Sequence, residues 1–157
     1  MAQTNINIRM DKDLKYRIYL DNCCFNRPYD DQSHLTIYLE SEAKLFVQKE
    51  ILLGKFDLVW SYILDYENSV NPYDDRKTAI AGWRNAAVAD VGVTSEIVSS
   101  ANHIVLKGVK RKDALHLACA ITTGCQYFLT TDKKLLNKFF DEIIVINPLD
   151  FVRKLEA

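Results

Sequence analysis

Hydrophobic and polar residues alternate along this chain with two different periods. Short hydrophobic runs predict five strands, at 17–21, 57–60, 88–93, 127–130 and 143–146. Amphipathic stretches predict helices at 35–55, from Ser61 to just before Pro72, at 74–87, 94–107, 112–123 and 133–140, and from Pro148 onward. Because strands and helices alternate, the pattern predicts an α/β fold: a three-layer α/β/α sandwich around a central, mostly parallel sheet.

The residues that end helices support these boundaries. Gly54, Gly108 and Gly124 follow three of the predicted helices, and glycine favours the conformation that closes a helix. The segment 22–33 has no clear period and is predicted as a loop. The longest helix, 35–55, is predicted to be amphipathic from its apolar residues Leu35, Leu39, Leu45, Phe46, Leu52 and Leu53.

Composition narrows the class of protein. The chain has 157 residues, which is the size of one domain, and 48% of them are hydrophobic. Five Gly and three Pro are too few for a linker-rich or all-β chain. The net charge of -1 excludes a uniformly basic nucleic-acid binder and an acidic disordered protein.

The sequence also predicts where the protein works. No stretch approaches the roughly 18 apolar residues of a membrane helix, and the first residues lack the apolar segment of a secretory signal. We therefore expect a cytoplasmic protein with no membrane partner. Its cysteines, Cys23, Cys24, Cys119 and Cys125, lack the spacing of a zinc site, and we expect reduced thiols packed in the core.

Carboxylates follow two of the predicted strands. Asp21 comes at the end of the first strand and Asp132 directly after the fourth. The ligand crevice of a parallel α/β sheet lies outside the carboxyl ends of its strands, so both residues are site candidates. Each also has an ordinary structural alternative, a turn residue for Asp21 and a helix N-cap for Asp132.

Two further carboxylates lie on helices. Glu67 is predicted to share an apolar stripe with Ile63 and Val70, and Asp113 to share one with Leu117. A buried carboxylate costs several kcal/mol unless it is paired or coordinates a metal. The alternatives are an exposed Glu67 side chain and an acid that complements the helix dipole at Asp113.

Four convergent carboxylates would repel one another unless a cation were present. Oxygen ligands suit Mg²⁺ or Mn²⁺, which bind to a few carboxylates together with water and substrate phosphates. Such ions activate water and stabilise the leaving oxygen in phosphodiester cleavage. The residues themselves therefore predict metal-dependent phosphoryl-transfer chemistry.

Four segments resemble those of the PIN-domain ribonucleases, a family that includes the VapC-type toxins of toxin–antitoxin pairs. They are IYLDN with Asp21, SYILDYEN with Glu67, KDALHLACA with Asp113 and FLTTDKKL with Asp132. The resemblance implies a PIN-like fold in which these four acids are the catalytic ligands of Mg²⁺ or Mn²⁺. It implies endonucleolytic cleavage of RNA with 5′-phosphate and 3′-hydroxyl ends, a cognate antitoxin as partner, and a homodimer.

The chain departs from the family pattern at Cys23, where the family often has a small polar residue. Asn22, Ser61 and Thr131 are candidates to support the metal ligands, with capping and turn roles as the alternative. His116, three residues after Asp113, could approach the site, but a packed helix histidine is the expected role. Because Cys23 departs from the family pattern, a catalytically weak module that binds RNA or an antitoxin is the alternative function.

Charge is unevenly distributed along the chain. The segment 103–140 has seven basic and two acidic residues, a net charge of +5, and the rest of the chain has −6. Both acids in this basic segment are predicted metal ligands. The residues expected to bind RNA are Arg27, Lys110, Arg111, Lys112, Lys133 and Lys134, with the aromatic rings of Phe25 and Tyr29 as candidates for stacking.

Two parts of the chain are distinguished. Residues 17–157 form the predicted nuclease domain, and residues 1–16 form an N-terminal extension. The extension resembles the first strand and helix start of ribbon-helix-helix antitoxins, without the rest of that fold. It is predicted to be a disordered tail or an edge strand.

Overall fold

A computed structural model describes residues 15–157, which form one parallel sheet with helices on both faces. Its strands are β1 (Tyr16–Leu20), β2 (Phe56–Ser61), β3 (Ala89–Val91), β4 (Tyr127–Leu129) and β5 (Ile144–Ile146). Their order is β3-β2-β1-β4-β5, and all four neighbouring pairs are parallel. The predicted α/β sandwich is confirmed. The predicted extension 1–16 lies outside the described residues except for its last two positions, and Tyr16 already belongs to β1.

The described residues contain eight α-helices and two 3₁₀ turns. The helices are α1 (Asn22–Asn26), α2 (Leu35–Leu52), α3 (Tyr62–Ser69), α4 (Asp74–Ala81), α5 (Ser95–Val105), α6 (Arg111–Thr122), α7 (Lys133–Leu136) and α8 (Pro148–Glu156). The 3₁₀ turns are Arg27–Tyr29 and Gly82–Ala86. Helix α2 packs against α8, and α5 packs against α6, which gives the two helical layers. Within this described range, no helix is long and apolar enough to cross a membrane.

The strand order determines where a ligand can bind. The chain adds β2 and β3 on one side of β1 and then returns to place β4 on its other side. A crevice opens at such a reversal, outside the carboxyl ends of the two strands. Leu20 of β1 is paired with Leu129 of β4, so the next residues, Asp21 and Thr130, lie side by side at this edge.

The core is built around β1 and β4. Ile18, Tyr19 and Leu20 are fully buried, and the Tyr19 ring stacks on Phe128 with centroids 5.2 Å apart. Because helices cover both faces of these strands, the residues from Ile18 to Leu20 and from Tyr127 to Leu129 are continuously apolar rather than alternating. All four cysteines are free thiols, as expected, and Cys24, Cys119 and Cys125 are buried.

Helix α2 differs from its prediction. It ends at Leu52 rather than at residue 55, and the apolar side chains that marked it as amphipathic are exposed. Leu35 is 70% exposed and Leu52 68% exposed. The buried side instead consists of two ridges at i, i+4 spacing, a polar one (Glu40, Lys44, Gln48) and an apolar one (Ala43, Val47, Ile51).

Three other segments also differ from their predictions. The segment predicted as a loop at 22–33 contains α1 and the first 3₁₀ turn, because Asp21 caps α1 and the ring of Pro28 fixes a helical φ in the turn. The helix predicted at 74–87 passes into the second 3₁₀ turn after Ala81. The helix predicted at 133–140 ends at Leu136. The other elements match their predictions to within a few residues.

Candidate metal centre

Asp21 lies at the sheet edge between β1 and β4 and is 6% exposed. Its carboxylate accepts hydrogen bonds from the backbone N–H of Asn22 (2.8 Å) and from the hydroxyl of Thr130 (2.8 Å). The thiol of Cys23 lies 3.5 Å from the same carboxylate. The backbone N–H of Asp21 donates to the carbonyl of Leu129 (2.9 Å), which extends the β1–β4 pairing by one residue. These contacts fix the direction of the carboxylate.

Glu67 and His116 meet Asp21 at this edge. Glu67 comes from α3 and His116 from α6, and the His116 Nε2 atom hydrogen-bonds to the Glu67 carboxylate. The same Nε2 atom is 3.9 Å from Asp21 Oδ1. One potential ligand atom from each of the three residues lies within 4.8 Å of the other two. The structure therefore places two carboxylates and one imidazole where they can bind a single ion.

A buried hydrogen-bond chain supports His116 from behind. The His116 Nδ1 atom is 2.5 Å from the Tyr19 hydroxyl, which is 2.6 Å from the Ser61 hydroxyl. Ser61 also caps α3 by accepting from the N–H of Leu64. Burial raises the pKa of Tyr19 well above its ordinary value, so the phenol stays protonated.

Asp113 and Asp132 lie beside this group. Both line a cavity of about 100 Å³, together with Lys110, Lys134 and Lys138. Partial burial and then the negative charges of Asp21 and Asp132 raise the pKa of Asp113 to about 6. Asp132 caps α7 by accepting from the N–H of Lys134 (2.9 Å), which is the structural role that its position also predicted.

The four predicted acids thus occupy one edge in two groups. Asp21 and Glu67 share the group with His116, and Asp113 and Asp132 line the adjoining cavity. The apolar stripe predicted to run from Ile63 through Glu67 to Val70 is only partly present, because Ile63 is buried but Val70 is 68% exposed. Glu67 reaches the site from the boundary of α3 with solvent, with a side chain that is 19% exposed.

The predicted supporting residues have different positions. Asn22 contributes its backbone N–H to Asp21, and its side-chain Oδ1 is buried without a hydrogen-bond partner in the described chain. Ser61 acts through Tyr19 rather than on a carboxylate. Thr130, and not the predicted Thr131, donates to Asp21, because Thr130 is the residue in register beside it.

Sequence reasoning missed Thr130, and it placed His116 near the site only as the alternative to a packed histidine. His116 lies one helical turn after Asp113, and that spacing is a usable signal because residues at i and i+3 share a helix face. It is a packed histidine, as expected, with no exposed surface, but its Nε2 atom faces the carboxylates. The position of Thr130 depends on strand register, which the sequence does not encode locally.

The basic residues predicted to bind RNA surround the site on different surfaces. Lys110 and Lys134 line the cavity of Asp113 and Asp132. Lys133 and Arg27 line a second, wider cavity of about 640 Å³, which also includes Thr131. Arg111 donates to Asn102 (2.5 Å), and Lys112 lies over the Tyr66 ring at 5.8 Å.

Two of these candidates have structural partners. The Arg27 guanidinium pairs with Glu40 (3.1 Å) and Asp30 (3.0 Å). Phe25 is 1% exposed and packs edge-to-face on Trp60, so its ring is part of the core and not available for stacking on a base. Tyr29 is 40% exposed, with Arg76 over its ring at 5.0 Å.

Comparisons with known proteins connect this geometry to a fold. No protein-family model matches the chain, and no curated protein matches its sequence. A chain in the crystal structure of VapBC2 from Rickettsia felis, bound to a DNA fragment from their promoter, is similar with a TM-score of 0.51 and 13% identity. The match covers 83% of this chain and 98% of that chain. What the two chains share is the fold.

The likeness supports a PIN-like fold, the arrangement that the four sequence segments implied. At this identity it carries no residue roles, so the site depends on its own chemistry. The site brings carboxylates together around an imidazole, and the pKa of the nearby Asp113 is raised. This chemistry fits a site that binds a divalent cation. The geometry thus identifies a candidate metal centre at the carboxyl edge of β1 and β4.

Proposed function

We propose that this protein is a Mg²⁺- or Mn²⁺-dependent endoribonuclease and the toxin of a toxin–antitoxin pair. The observation that carries the proposal is the meeting of Asp21, Glu67 and His116 at the strand-order reversal, with Asp113 and Asp132 in the adjoining cavity. The PIN-like fold supports the nuclease class. The finer assignment to RNA follows from the resemblance of the four sequence segments.

The chain's own residues would hold the ion and the substrate. Asp21 and Glu67 present carboxylate oxygens from two elements, and Asp113 and Asp132 add charge from the neighbouring helices. A bound divalent ion would supply Lewis-acid chemistry, lowering the pKa of water and stabilising the leaving oxygen. Thr130 and the N–H of Asn22 hold Asp21 in one orientation, which removes a reorganisation cost.

Positive charge beside the acids supports a polyanionic substrate. Lys110, Lys134 and Lys138 line the same cavity as Asp113 and Asp132. These lysines would neutralise phosphate groups of a bound strand and release the counterions condensed on it. Lys133 lines the wider cavity together with Thr131, and the Arg27 guanidinium there is already paired with Glu40 and Asp30. The proposed RNA path therefore runs over the carboxyl edge of β4.

An antitoxin is the proposed protein partner. The similar structure is that of VapBC2 bound to promoter DNA, which is a property of that protein and supports a partner of the same kind here. The exposed apolar side of α2, with Leu35, Leu39, Leu45 and Phe46, supports a protein contact on that surface. A homodimer and a cytoplasmic location belong to the same proposal as expectations from the sequence.

The second candidate function is a catalytically weak module that binds RNA or the antitoxin. Cys23 favours it, because its thiol is a weak donor to Asp21 where a hydroxyl would donate strongly. Thr130 compensates, since its hydroxyl donates to the same Oδ2 atom at 2.8 Å. The arrangement of Asp21 is therefore intact, and this favours the enzyme over the module.

The test is cleavage of 5′-labelled single-stranded RNA by the purified full-length protein after removal of metal. We expect cleavage on addition of Mn²⁺ or Mg²⁺, none with chelator, and 5′-phosphate ends. Asp21→Asn should lower the rate at least about 1,000-fold, because it removes a central ligand charge. The control is Asp141→Asn, an exposed acid away from the site. Equal cleavage by wild type and Asp21→Asn, or binding of RNA without any cleavage, would reject the enzyme.

A further inference from the structure

His116 is the residue of this centre that the carboxylate prediction does not explain. Its side chain has no exposed surface, and its Nε2 atom contacts Glu67 and lies 3.9 Å from Asp21 Oδ1. A core histidine with no role in the site would turn its polar atoms toward backbone or structural partners. Here one ring nitrogen points at the two carboxylates that meet at the strand edge.

The other ring nitrogen is held in place. Tyr19 contacts Nδ1 at 2.5 Å and also contacts the Ser61 hydroxyl at 2.6 Å. The Tyr19 ring is fixed in turn by stacking on Phe128 with a 7° interplanar angle. Metal-binding histidines characteristically use their second nitrogen in such a hydrogen bond, which fixes the ring orientation and the tautomer.

The Tyr19 hydroxyl serves both neutral tautomers of His116. When Tyr19 donates to Nδ1, the ring proton is on Nε2 and is shared with Glu67. When Nδ1 carries the proton and donates to Tyr19, Tyr19 donates to Ser61 and the Nε2 lone pair is free. The ring holds one proton in both arrangements, so the exchange of tautomers needs no net gain or loss of protons.

The spacing of the three residues fits a single ion. Bonds from nitrogen or oxygen to such ions are about 2.0–2.2 Å, so ligand atoms on opposite sides are about 4 Å apart. The three ligand atoms here lie within 4.8 Å of one another, and His116 Nε2 and Asp21 Oδ1 are already 3.9 Å apart. The Glu67 carboxylate is in hydrogen-bond contact with Nε2 and would have to move away from it to admit an ion. Glu67 is partly exposed, which leaves it free to make this adjustment.

We propose that His116 is a nitrogen ligand of this centre, positioned by Tyr19 and Ser61, and that it makes the centre prefer a divalent first-row transition ion to Mg²⁺. Imidazole binds such ions well, whereas Mg²⁺ takes oxygen ligands and keeps much of its water. The inference rests on the proposed metal centre. It concerns which ion binds and through which atoms, and not which nucleic acid is cleaved.

The direct test is pulsed electron paramagnetic resonance of the full-length protein loaded with Mn²⁺, which detects a ¹⁴N nucleus bonded to the ion. We expect an imidazole ¹⁴N coupling in the wild type and in His103→Gln, an exposed histidine that serves as the matched control. The coupling should be absent in His116→Gln. A wild-type spectrum without ¹⁴N coupling, or a coupling that survives in His116→Gln, would overturn the proposal.

Calorimetric titration measures the preference itself. We expect the ratio of the dissociation constants for Mg²⁺ and Mn²⁺ to fall at least about tenfold in His116→Gln, because only the transition ion loses a favoured ligand. Tyr19→Phe keeps the imidazole, so its ¹⁴N coupling should remain while Mn²⁺ affinity falls about tenfold. An unchanged ratio in His116→Gln would show that His116 only positions Glu67.

These readouts separate the inference from the function on which it rests. A ¹⁴N-coordinated Mn²⁺ in a protein that does not cleave RNA would reject the proposed nuclease and leave the ligand assignment standing. RNA cleavage by a protein whose Mn²⁺ has no nitrogen ligand would do the reverse. Failure to bind any divalent ion would reject both. A wild-type spectrum without ¹⁴N coupling rejects the assignment whether or not His116→Gln folds, so the proposal stays falsifiable.

Discussion

Helices α2 and α6 show opposite relations between sequence pattern and burial. In α6 the residues from Ala114 to Ala120 are almost all buried, and the predicted site residue Asp113 stands at its first turn. In α2 the apolar residues that marked the helix are exposed, and Glu40, Lys44 and Gln48 face inward. Both helices were correctly located along the chain. Only in α6 did the pattern also identify the buried face.

The difference comes from what each helix packs against. Helix α6 is apolar on nearly every side, so any orientation buries apolar surface between the sheet and α5. In helix α2 the first residue of the polar ridge meets polar partners, since Arg27 and the Asn147 side chain both donate to Glu40. The next, Lys44, lies over the Phe25 ring at 5.7 Å. The buried face of a helix is thus determined by its partners, which come from distant parts of the chain.

Truncation of one leucine in each helix should give the largest contrast. Leu117→Ala in α6 removes a fully buried side chain and should cost about 2–5 kcal/mol of unfolding free energy. Leu35→Ala in α2, where the side chain is 70% exposed, should cost less than about 0.5 kcal/mol. Urea denaturation measures both values. Equal losses would show that the apolar side of α2 is packed in solution, and that α2 and α6 do not differ in the burial of their apolar residues.

The sequence predicted the fold because each strand and helix carries local signals. Hydrophobic runs located β1, β2, β4 and β5, and the helices predicted to begin at Ser61 and Thr94 are capped by those two residues in the structure. The 22–33 segment failed because α1 has only five residues, too few for a period to be visible. The orientation of α2 failed because its inward polar residues meet partners from other elements, Glu40 with Arg27 and Lys44 with Phe25, and contacts of that kind have no local signature.

Breaking the polar ridge of α2 should give the next largest effect. Glu40→Ala removes the acceptor of Arg27 and Asn147 and leaves their donors unpaired in a half-buried region, which should cost about 2 kcal/mol. Its control is Glu42→Ala, an exposed position on the same helix, where the loss should stay below about 0.5 kcal/mol. Thermal and urea unfolding measure both. A loss at Glu40 no larger than at Glu42 would remove the explanation for the inward polar face.

The second residue of that ridge should be a source of instability. Burial lowers the pKa of Lys44 from 10.5 to about 8, so its charged form is penalised in the folded state. Lys44→Met should stabilise the protein at pH 7 by about 1 kcal/mol. Between pH 8 and 10.5 the unfolded chain binds more protons at Lys44 than the folded chain does. The stability of the wild type therefore rises with pH, and its difference from Lys44→Met becomes smaller.

Unfolding free energies at pH 7 and pH 10 measure this gap, with Lys49→Met, an exposed lysine of α2, as the control. Lys44→Met that is less stable than wild type at pH 7 would contradict the prediction. It would mean that the ammonium contributes favourably, as through the Phe25 ring 5.7 Å away.

The sequence predicted which four acids lie at this edge of the sheet, but not the residues that contact them. Asp21 and Asp132 were identified because parallel sheets place strand ends together, a rule that needs no alignment. Thr130 and the chain from Ser61 through Tyr19 to His116 depend on register and on contacts between α6 and β1. Such contacts join residues far apart in the chain, so only the folded structure reveals them.

The smallest predicted effect concerns Asp113, the site residue that begins α6. Its pKa is about 6 in the folded protein and near 3.8 when unfolded, so below pH 4 it contributes nothing to the pH dependence of stability. From pH 4 to 6 the unfolded chain loses this proton first, and the stability of the metal-free protein should fall relative to Asp113→Asn. Because the group is half exposed, the fall should stay below about 1 kcal/mol.

Urea unfolding in chelator at pH 4, 5, 6 and 7 measures the stability difference between wild type and Asp113→Asn. Addition of Mn²⁺ should reverse this difference at pH 7 but not at pH 4. A difference that does not vary with pH would show that neither burial nor the neighbouring carboxylates raise the pKa of Asp113, and α6 would then be an apolar core helix like any other.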